Sequence, residues 1–204
     1  VLDCYTREYG SVPPIIYNGV PEVRQERCPF LVDGKTNILF AGRYDEQKGI
    51  SHLIYIIRQL QDMPEYHFHV VGGGKLQNLV DAQLGTLPNV SLHNPVFGIS
   101  RYLASFDYML MPSEFEGLPL MSVEASFAGL PVVCSDCKGL NETVPADWQL
   151  TAHGNSHKEY MQIFRNVIPH ADRTALAQTA RRFVREHFSV EKMQEGYEQV
   201  YRQE

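Results

Sequence analysis

Two carboxylates, Glu116 and Glu124, stand eight residues apart in the segment Pro112-Ser113-Glu114-Phe115-Glu116-Gly117-Leu118-Pro119-Leu120-Met121-Ser122-Val123-Glu124. The apolar run Tyr108 to Met111 before them reads as a buried strand, Pro119 suits a first helical turn, and Glu124-Ala125-Ser126-Phe127-Ala128 continues as helix. Glu116 is therefore expected at the carboxyl end of a strand, and Glu124 about one turn into the next helix. In an open α/β sheet the ligand crevice lies there, where exposed helix N–H groups also attract phosphate. Two glutamates at this spacing are also what a solvated helix face presents, so neighbouring segments must decide between the readings.

The spacing and its flanks, Pro112-Ser113 and Glu116-Gly117-Leu118-Pro119-Leu120, resemble the Glu-x7-Glu motif of the retaining, nucleotide-sugar-dependent glycosyltransferases of the GT-B fold, called group 1 or family 4. The segment Phe40-Ala41-Gly42-Arg43-Tyr44-Asp45-Glu46-Gln47-Lys48-Gly49-Ile50 resembles the same family's Gly-Arg-x4-Lys-Gly stretch. A leaving nucleoside diphosphate gains negative charge as the glycosidic bond breaks. Arg43, as a fork for two oxygens, and Lys48, as a point charge, would stabilise that charge most in the transition state. Alone, the two would pass for surface cations; their order along the chain relative to Glu116 and Glu124 favours the site.

The resemblance implies that Glu116 faces the donor sugar, with Gly117 and Leu118 beside it, and that Glu124 accepts hydrogen bonds from the ribose hydroxyls, a diol that needs acceptors. The N–H groups of Leu118, Leu120 and Met121 would donate to sugar and phosphate oxygens. Many relatives have glycine where this chain has Pro119, so one donor is missing. Pro88-Asn89-Val90-Ser91-Leu92-His93-Asn94-Pro95-Val96 resembles a segment whose last residues read the nucleobase through main-chain groups. Asn94 replaces its usual glycine, a position where asparagine can take positive φ. Val96 and Phe97 are the base-pocket candidates, Phe97 being equally a core candidate. Gly72-Gly73-Gly74 reads as a turn and donor-side wall; position 77 is Gln, so the dinucleotide fingerprint is incomplete. Gly139-Leu140-Asn141-Glu142-Thr143-Val144 resembles a stretch that packs beside the site, with Glu142 structural rather than catalytic.

Elements that would position these residues follow from periodicity. Short apolar runs at Asn37 to Ala41, His67 to Val71, Val90 to His93, Tyr108 to Met111, Pro131 to Cys134 and Gln149 to Thr151 read as strands. Helical spacing marks Ile50 to Leu60, Leu76 to Leu84, Met121 to Ala128, Glu159 to Val167, Thr174 to Phe188 and a terminal amphipathic helix, Ser189 to Gln203, with a serine cap. Such alternation means α/β: a Rossmann-like parallel sheet of about six strands with helices on both faces, which the resemblance identifies with the C-terminal half of a GT-B enzyme. Residues 1–34, with Pro13-Pro14, Asn18-Gly19, Pro21, Pro29 and Asp33-Gly34, read as an interdomain linker and remnant of an N-terminal domain. Residues 35–188 would form the donor-binding domain, and 189–204 a helix crossing to the N-terminal domain.

Composition sets outer bounds. The chain has 204 residues, 44% of them apolar and 21% charged, with a net charge of −6, enough for one well-buried domain. Without a Lys/Arg cluster, nucleic acid and anionic membrane are not expected partners. No run is long enough for a membrane span and no signal peptide is read, so the expected location is cytoplasmic, with peripheral membrane association left to the full-length enzyme. Cys134 and Cys137 form a lone Cys-x-x-Cys, and with Cys4 and Cys28 they read as ordinary thiols rather than a zinc or redox site. His67 and His69 share one strand face and read as packed or edge histidines.

The expected function is transfer of a hexose-type sugar, with retention, from a nucleoside-diphosphate sugar, UDP being the nucleotide, to a glycan, lipid or small-molecule acceptor. The N-terminal domain would supply the acceptor site. No cofactor and no metal are expected, since Arg43, Lys48 and the helix start neutralise the diphosphate and no Asp-x-Asp segment is present. A non-catalytic nucleotide-sugar-binding module and a sugar-nucleotide epimerase of the same fold are the alternatives.

Overall fold

The computed structural model describes residues 14–202. Cys4, Pro13 and the Gln203 end of the expected terminal helix lie outside them. Six strands, β1 (Thr36–Arg43), β2 (Tyr66–Gly73), β3 (Val90–His93), β4 (Tyr108–Met111), β5 (Val132–Ser135) and β6 (Thr151–Ala152), form one sheet in the order β3-β2-β1-β4-β5-β6. Every pairing is parallel. Parallel strands are covered on both faces, which is why they are apolar without alternation: Ile38, Leu39, Val70, Met109, Leu110, Val132 and Val133 are all fully buried. Each such side chain contributes roughly 1.5–3 kcal/mol of burial.

The helices are α1 (Ile50–Gln59), α2 (Gln77–Leu84), α3 (Leu120–Ala128), α4 (His157–Gln162), α5 (Arg173–Phe188) and α6 (Val190–Tyr201). Helix α1 packs with α2 and α4, whereas α3 packs with α5 and a 3-10 segment at Ile99–Ser105. Helix α1 shows how sequence dictates its seat: Ile50, Leu53, Ile54 and Ile57 fall on one stripe and are buried. The helix expected over Glu159 to Val167 instead starts at His157, capped by Ser156, and widens into a π-helical turn at Ile163–Val167. The 3-10 segment at Ile99–Ser105 was not foreseen, its single turn-like runs being too short for a helical period.

Sheet order reverses between β2-β1 and β4-β5. At that switch point the chain leaves β1 on one side and β4 on the other, so the loops after them diverge and open a crevice at the carboxyl ends of the strands. Residues 14–34 contain no strand or helix and run along the domain: Val20 N–H donates to Phe188 O at 2.8 Å, and Cys28 N–H to Ser105 Oγ at 2.9 Å. Helix α6 buries none of its residues, leaving Tyr197 and Tyr201 exposed.

Candidate functional site

The loop after β1 brings Lys48 to the crevice. Asp45 Oδ1 accepts from Lys48 N–H at 3.0 Å, tightening the turn, and Gly49 follows in the left-handed region at φ 67°. Only glycine fits at 49: a Cβ would lie 1.8 Å from Pro112 O. That approach presses the Lys48 loop against the start of the loop after β4. Gln47 adds two links, its carbonyl accepting from Glu114 N–H at 2.9 Å and its side-chain amide donating to Phe115 O at 3.3 Å.

The loop after β4 is anchored from below and folds Glu116 back over itself. Ser135 Oγ donates to Ser113 O at 2.6 Å, and Ser113 Oγ donates to Glu116 Oε1 at 2.8 Å. Lys48 Nζ donates to the same oxygen at 2.7 Å, across a pair whose side chains are 22% and 6% exposed. Glu116 Oε2 takes no hydrogen bond from the described residues, and Lys48 keeps two further N–H donors. On its far side the loop rests on Gly139, at φ 89°, where a Cβ would meet Gly117 O at 2.2 Å. Gly117 itself is exposed and Leu118 half-buried.

Beside this pair lies a cleft of about 270 Å³ lined by Gly42, Arg43, Gly73, Val96, Ile99 and Met121, among others. The register explains its floor: Arg43 pairs with Gly73 at the ends of β1 and β2, where glycine backbone leaves room. Arg43 is largely exposed and is steadied by Gln47 Oε1 at 3.2 Å and Asp45 Oδ2 at 3.4 Å. The turn into Ile99 is made by Gly98 at φ 71°; Asn94 does not take positive φ, so the expected substitution of asparagine for a positive-φ glycine is not how this turn closes. Phe97 is 98% exposed and lies outside the cleft lining, neither core nor wall.

Helix α3 starts at Leu120 with Pro119 as its N-cap, and its first N–H groups have no intrahelical acceptor. Met121 faces the cleft, and Glu124, three residues on and so on the same side, faces a narrow gap formed with Ser100, Gln25 and Arg181. Burial pushes the Glu124 carboxyl above its ordinary range. No hydrogen bond to it is made by the described residues. The structure thus joins Lys48 to Glu116 and sets Arg43, Val96 and Met121 along the neighbouring cleft, while Glu124 lines a separate gap, Leu118 packs against the cluster that holds Val123 and Phe127, Leu120 is exposed, and Phe97 lies outside.

Sequence reasoning missed two residues that contact the loop after β4 from distant elements. His52 Nε2 sits 2.8 Å from Glu114 Oε1, and Asn155 reaches the Pro112–Ser113 backbone; their partners are 62 and about 40 positions away, beyond any local pattern. Glu142 accepts from Tyr17 O–H at 2.7 Å, a tie to the segment before β1. Cys134 is fully buried, its thiol pushed up to about 12, and Cys28, Cys134 and Cys137 are all free thiols. His69 is fully buried against Asn37 Oδ1 at 2.8 Å, and burial drives its imidazole down to about 3. No described helix is long and apolar enough to cross a membrane.

Comparisons with known proteins bear on this arrangement. Residues 35–185 match the family described as Glycosyl transferases group 1. An uncharacterized 41.2 kDa protein in the cps region of Klebsiella pneumoniae is 31% identical over 54% of the chain, and the O-antigen biosynthesis glycosyltransferase WbnH of Escherichia coli is 30% identical over 52%. The chain spans 30% of the length of each of these relatives. The fold matches that of Anabaena Alr3699/HepE, solved in complex with UDP, at a TM-score of 0.72 and 21% identity, over 84% of this chain and 50% of that one.

Proposed function

The chain belongs to the group 1 glycosyl transferases, and on that premise we propose that it binds a nucleoside-diphosphate sugar at the crevice between β1 and β4 and forms the donor half of a retaining hexosyltransferase. The observation that carries the reading is the Lys48–Glu116 pair at 2.7 Å, set at the switch point of the sheet beside the Arg43 cleft. In it, Arg43 and two free donors of Lys48 take the diphosphate, with the first N–H groups of α3. Glu116 Oε2 accepts from a hydroxyl of the sugar, and Glu124 from the ribose diol. Val96 flanks the base, and the fully exposed Phe97 ring becomes part of that wall only if the segment before Gly98 moves over the bound base.

As the glycosidic bond breaks, charge builds on the leaving phosphate oxygen, where Lys48 is already held by Glu116 rather than free to wander. Preorganised charge of this kind costs no reorganisation at the moment of reaction. The acceptor attacks on the face that the diphosphate leaves, through an oxocarbenium-like state. UDP is the nucleotide proposed, supported by the UDP-bound Anabaena protein of the same fold. Residues 1–34 are proposed as the linker, 35–188 as the donor domain and 189–204 as a helix that meets an acceptor-binding N-terminal domain, the open face of α6 supplying the contact. A role in assembling a surface glycan, in the cytoplasm or at its membrane face, is in keeping with the O-antigen relative.

A thermal-shift titration of the chain with UDP, GDP and ADP tests the reading. At 100 times its Kd a nucleotide adds about 2.7 kcal/mol, a rise of roughly 5 to 10 °C at this size. A shift with UDP that vanishes in Lys48→Ala is expected; no shift with any nucleotide, in the intact protein as well, would sink it.

A further inference from the structure

We propose that Asn155 is a positioning residue for Glu116, acting through the Pro112–Ser113 backbone. This rests on the donor-site reading above. Among the described residues Asn155 is the one non-glycine at positive φ, 46°, directly after Gly154 at 63°. A residue held in the left-handed region stores strain, and glycine would satisfy that backbone at no steric cost. What glycine would not supply is the side chain. Its Nδ2 reaches Pro112 O and Ser113 O, each at 3.5 Å, while its Oδ1 accepts from the hydroxyl of fully buried Tyr160 at 2.7 Å.

The Tyr160 hydroxyl thus fixes the amide so that its NH₂ faces the two carbonyls, the orientation the acceptor role of Oδ1 requires. Ser113 O is taken from a second direction by Ser135 Oγ at 2.6 Å, and Pro112 O is pressed by Gly49. Ser113 O is thus held closely by Ser135 and approached at 3.5 Å by Asn155, and Ser113 Oγ donates to Glu116 Oε1 at 2.8 Å. The chain of contacts runs from the buried tyrosine on α4, through Asn155 and Ser113, to the carboxylate that Lys48 also holds. Gly154 N–H donates to Asp136 Oδ2 at 2.8 Å, which keeps the strained turn in place independently of the Asn155 side chain.

The test uses the intact protein with Asn155→Gly, Asn155→Asp, Tyr160→Phe and Glu116→Gln. It follows UDP affinity, melting temperature, and kcat and KM for UDP release from the UDP-sugar that gives the largest thermal shift. Asn155→Gly relieves the positive φ but leaves the buried Tyr160 hydroxyl without its acceptor, so it should lower the melting temperature by a few degrees and keep the UDP affinity, yet lose on the order of 10- to 100-fold in kcat well below melting, the scale of a displaced reacting geometry. Asn155→Asp, which still accepts from Tyr160 but sets a carboxylate against two carbonyls, should not rescue it. Tyr160→Phe should lower kcat less, again without change in UDP affinity. Unchanged kcat in Asn155→Gly, with Glu116→Gln impaired, overturns the proposal; so does a kcat loss that disappears when each variant is assayed well below its own melting temperature. Unchanged kcat in Glu116→Gln overturns the donor-site reading itself.

Discussion

Lys48 and Glu116, 68 positions apart in the chain, meet at 2.7 Å over the point where the sheet changes direction. The pair is neither a surface ion pair, since Glu116 is 6% exposed, nor a sealed one, since Lys48 keeps access to water. A half-sealed pair of this kind holds two charges in register while leaving donors for a third, anionic group.

Removing the cation should therefore cost stability as well as binding. Lys48→Ala leaves a nearly buried carboxylate with Ser113 as its remaining donor, at a cost of about 1–2 kcal/mol rather than the roughly 3–5 of a fully buried pair. A melting point lower by roughly 3 to 6 °C, read by calorimetry, is expected. Glu116→Gln keeps both hydrogen bonds and should leave UDP affinity within about twofold while lowering turnover by roughly 10²-fold.

Glu124 should trade stability for binding. Burial raises its carboxyl, so the folded chain holds that proton more tightly than the unfolded chain does. The ionised group therefore opposes folding above its raised folded value, and the penalty fades as pH falls through it. Glu124→Gln should stabilise the free chain by on the order of 1 kcal/mol in urea unfolding at pH 7, and weaken UDP binding at the same pH. A variant that loses stability would contradict this balance.

Acid should unfold the chain early, through His69. Both states are neutral there above about 6.5; below it the unfolded chain takes up a proton that the folded chain, with His69 near 3, refuses. Stability is thus lost as pH falls from about 6.5 toward 3, by about 2 kcal/mol at pH 5. His67 and His93, also lowered by burial, steepen the loss. Urea midpoints at pH 7 and 5, with His69→Gln flattening the difference, provide the check.

Two glycines with similar backbone angles should respond differently to alanine. Gly49, at φ 67°, has Pro112 O 1.8 Å from where a Cβ would sit, whereas Gly34, at φ 72°, has nothing within 4 Å. Gly34→Ala should cost only the left-handed penalty, about 1 kcal/mol. Gly49→Ala must also push the two site loops apart, and should cost at least twice that and abolish the UDP shift.

Chelation should leave the UDP titration unchanged. In the proposed site Arg43, Lys48 and the start of α3 neutralise the diphosphate between them. A titration with EDTA present that loses the UDP shift, restored by Mg²⁺ or Mn²⁺, would require a different account of this site.

Much of this fold was legible in one dimension because its signals are local. Apolar runs of strand length alternate with helical stripes such as Ile50, Leu53 and Ile57, and parallel strands buried on both faces leave no polar alternation to confuse them. The positions of Arg43, Lys48 and Glu116 were legible for a related reason, since they lie in short segments at or just after the ends of β1 and β4, where spacing along the chain is nearly spacing in space. The irregular pieces were not. The 3-10 segment at Ile99–Ser105 and the π-helical turn at Ile163–Val167 are set by what packs against them, not by a period of their own. Phe97 shows the same limit, since an aromatic residue after a strand looks like core until neighbours fail to cover it.

The sequence by itself determined the parallel α/β class and the approximate places of most strands and helices. Tertiary structure alone decided that Lys48 grips Glu116, that Glu124 faces a gap with Ser100, and that His52 and Asn155 brace the loop between them. Local propensity and burial act over a few residues and leave a periodic trace. Hydrogen bonds between loops 40 to 68 positions apart depend on strand order and register, which no stretch of chain carries alone.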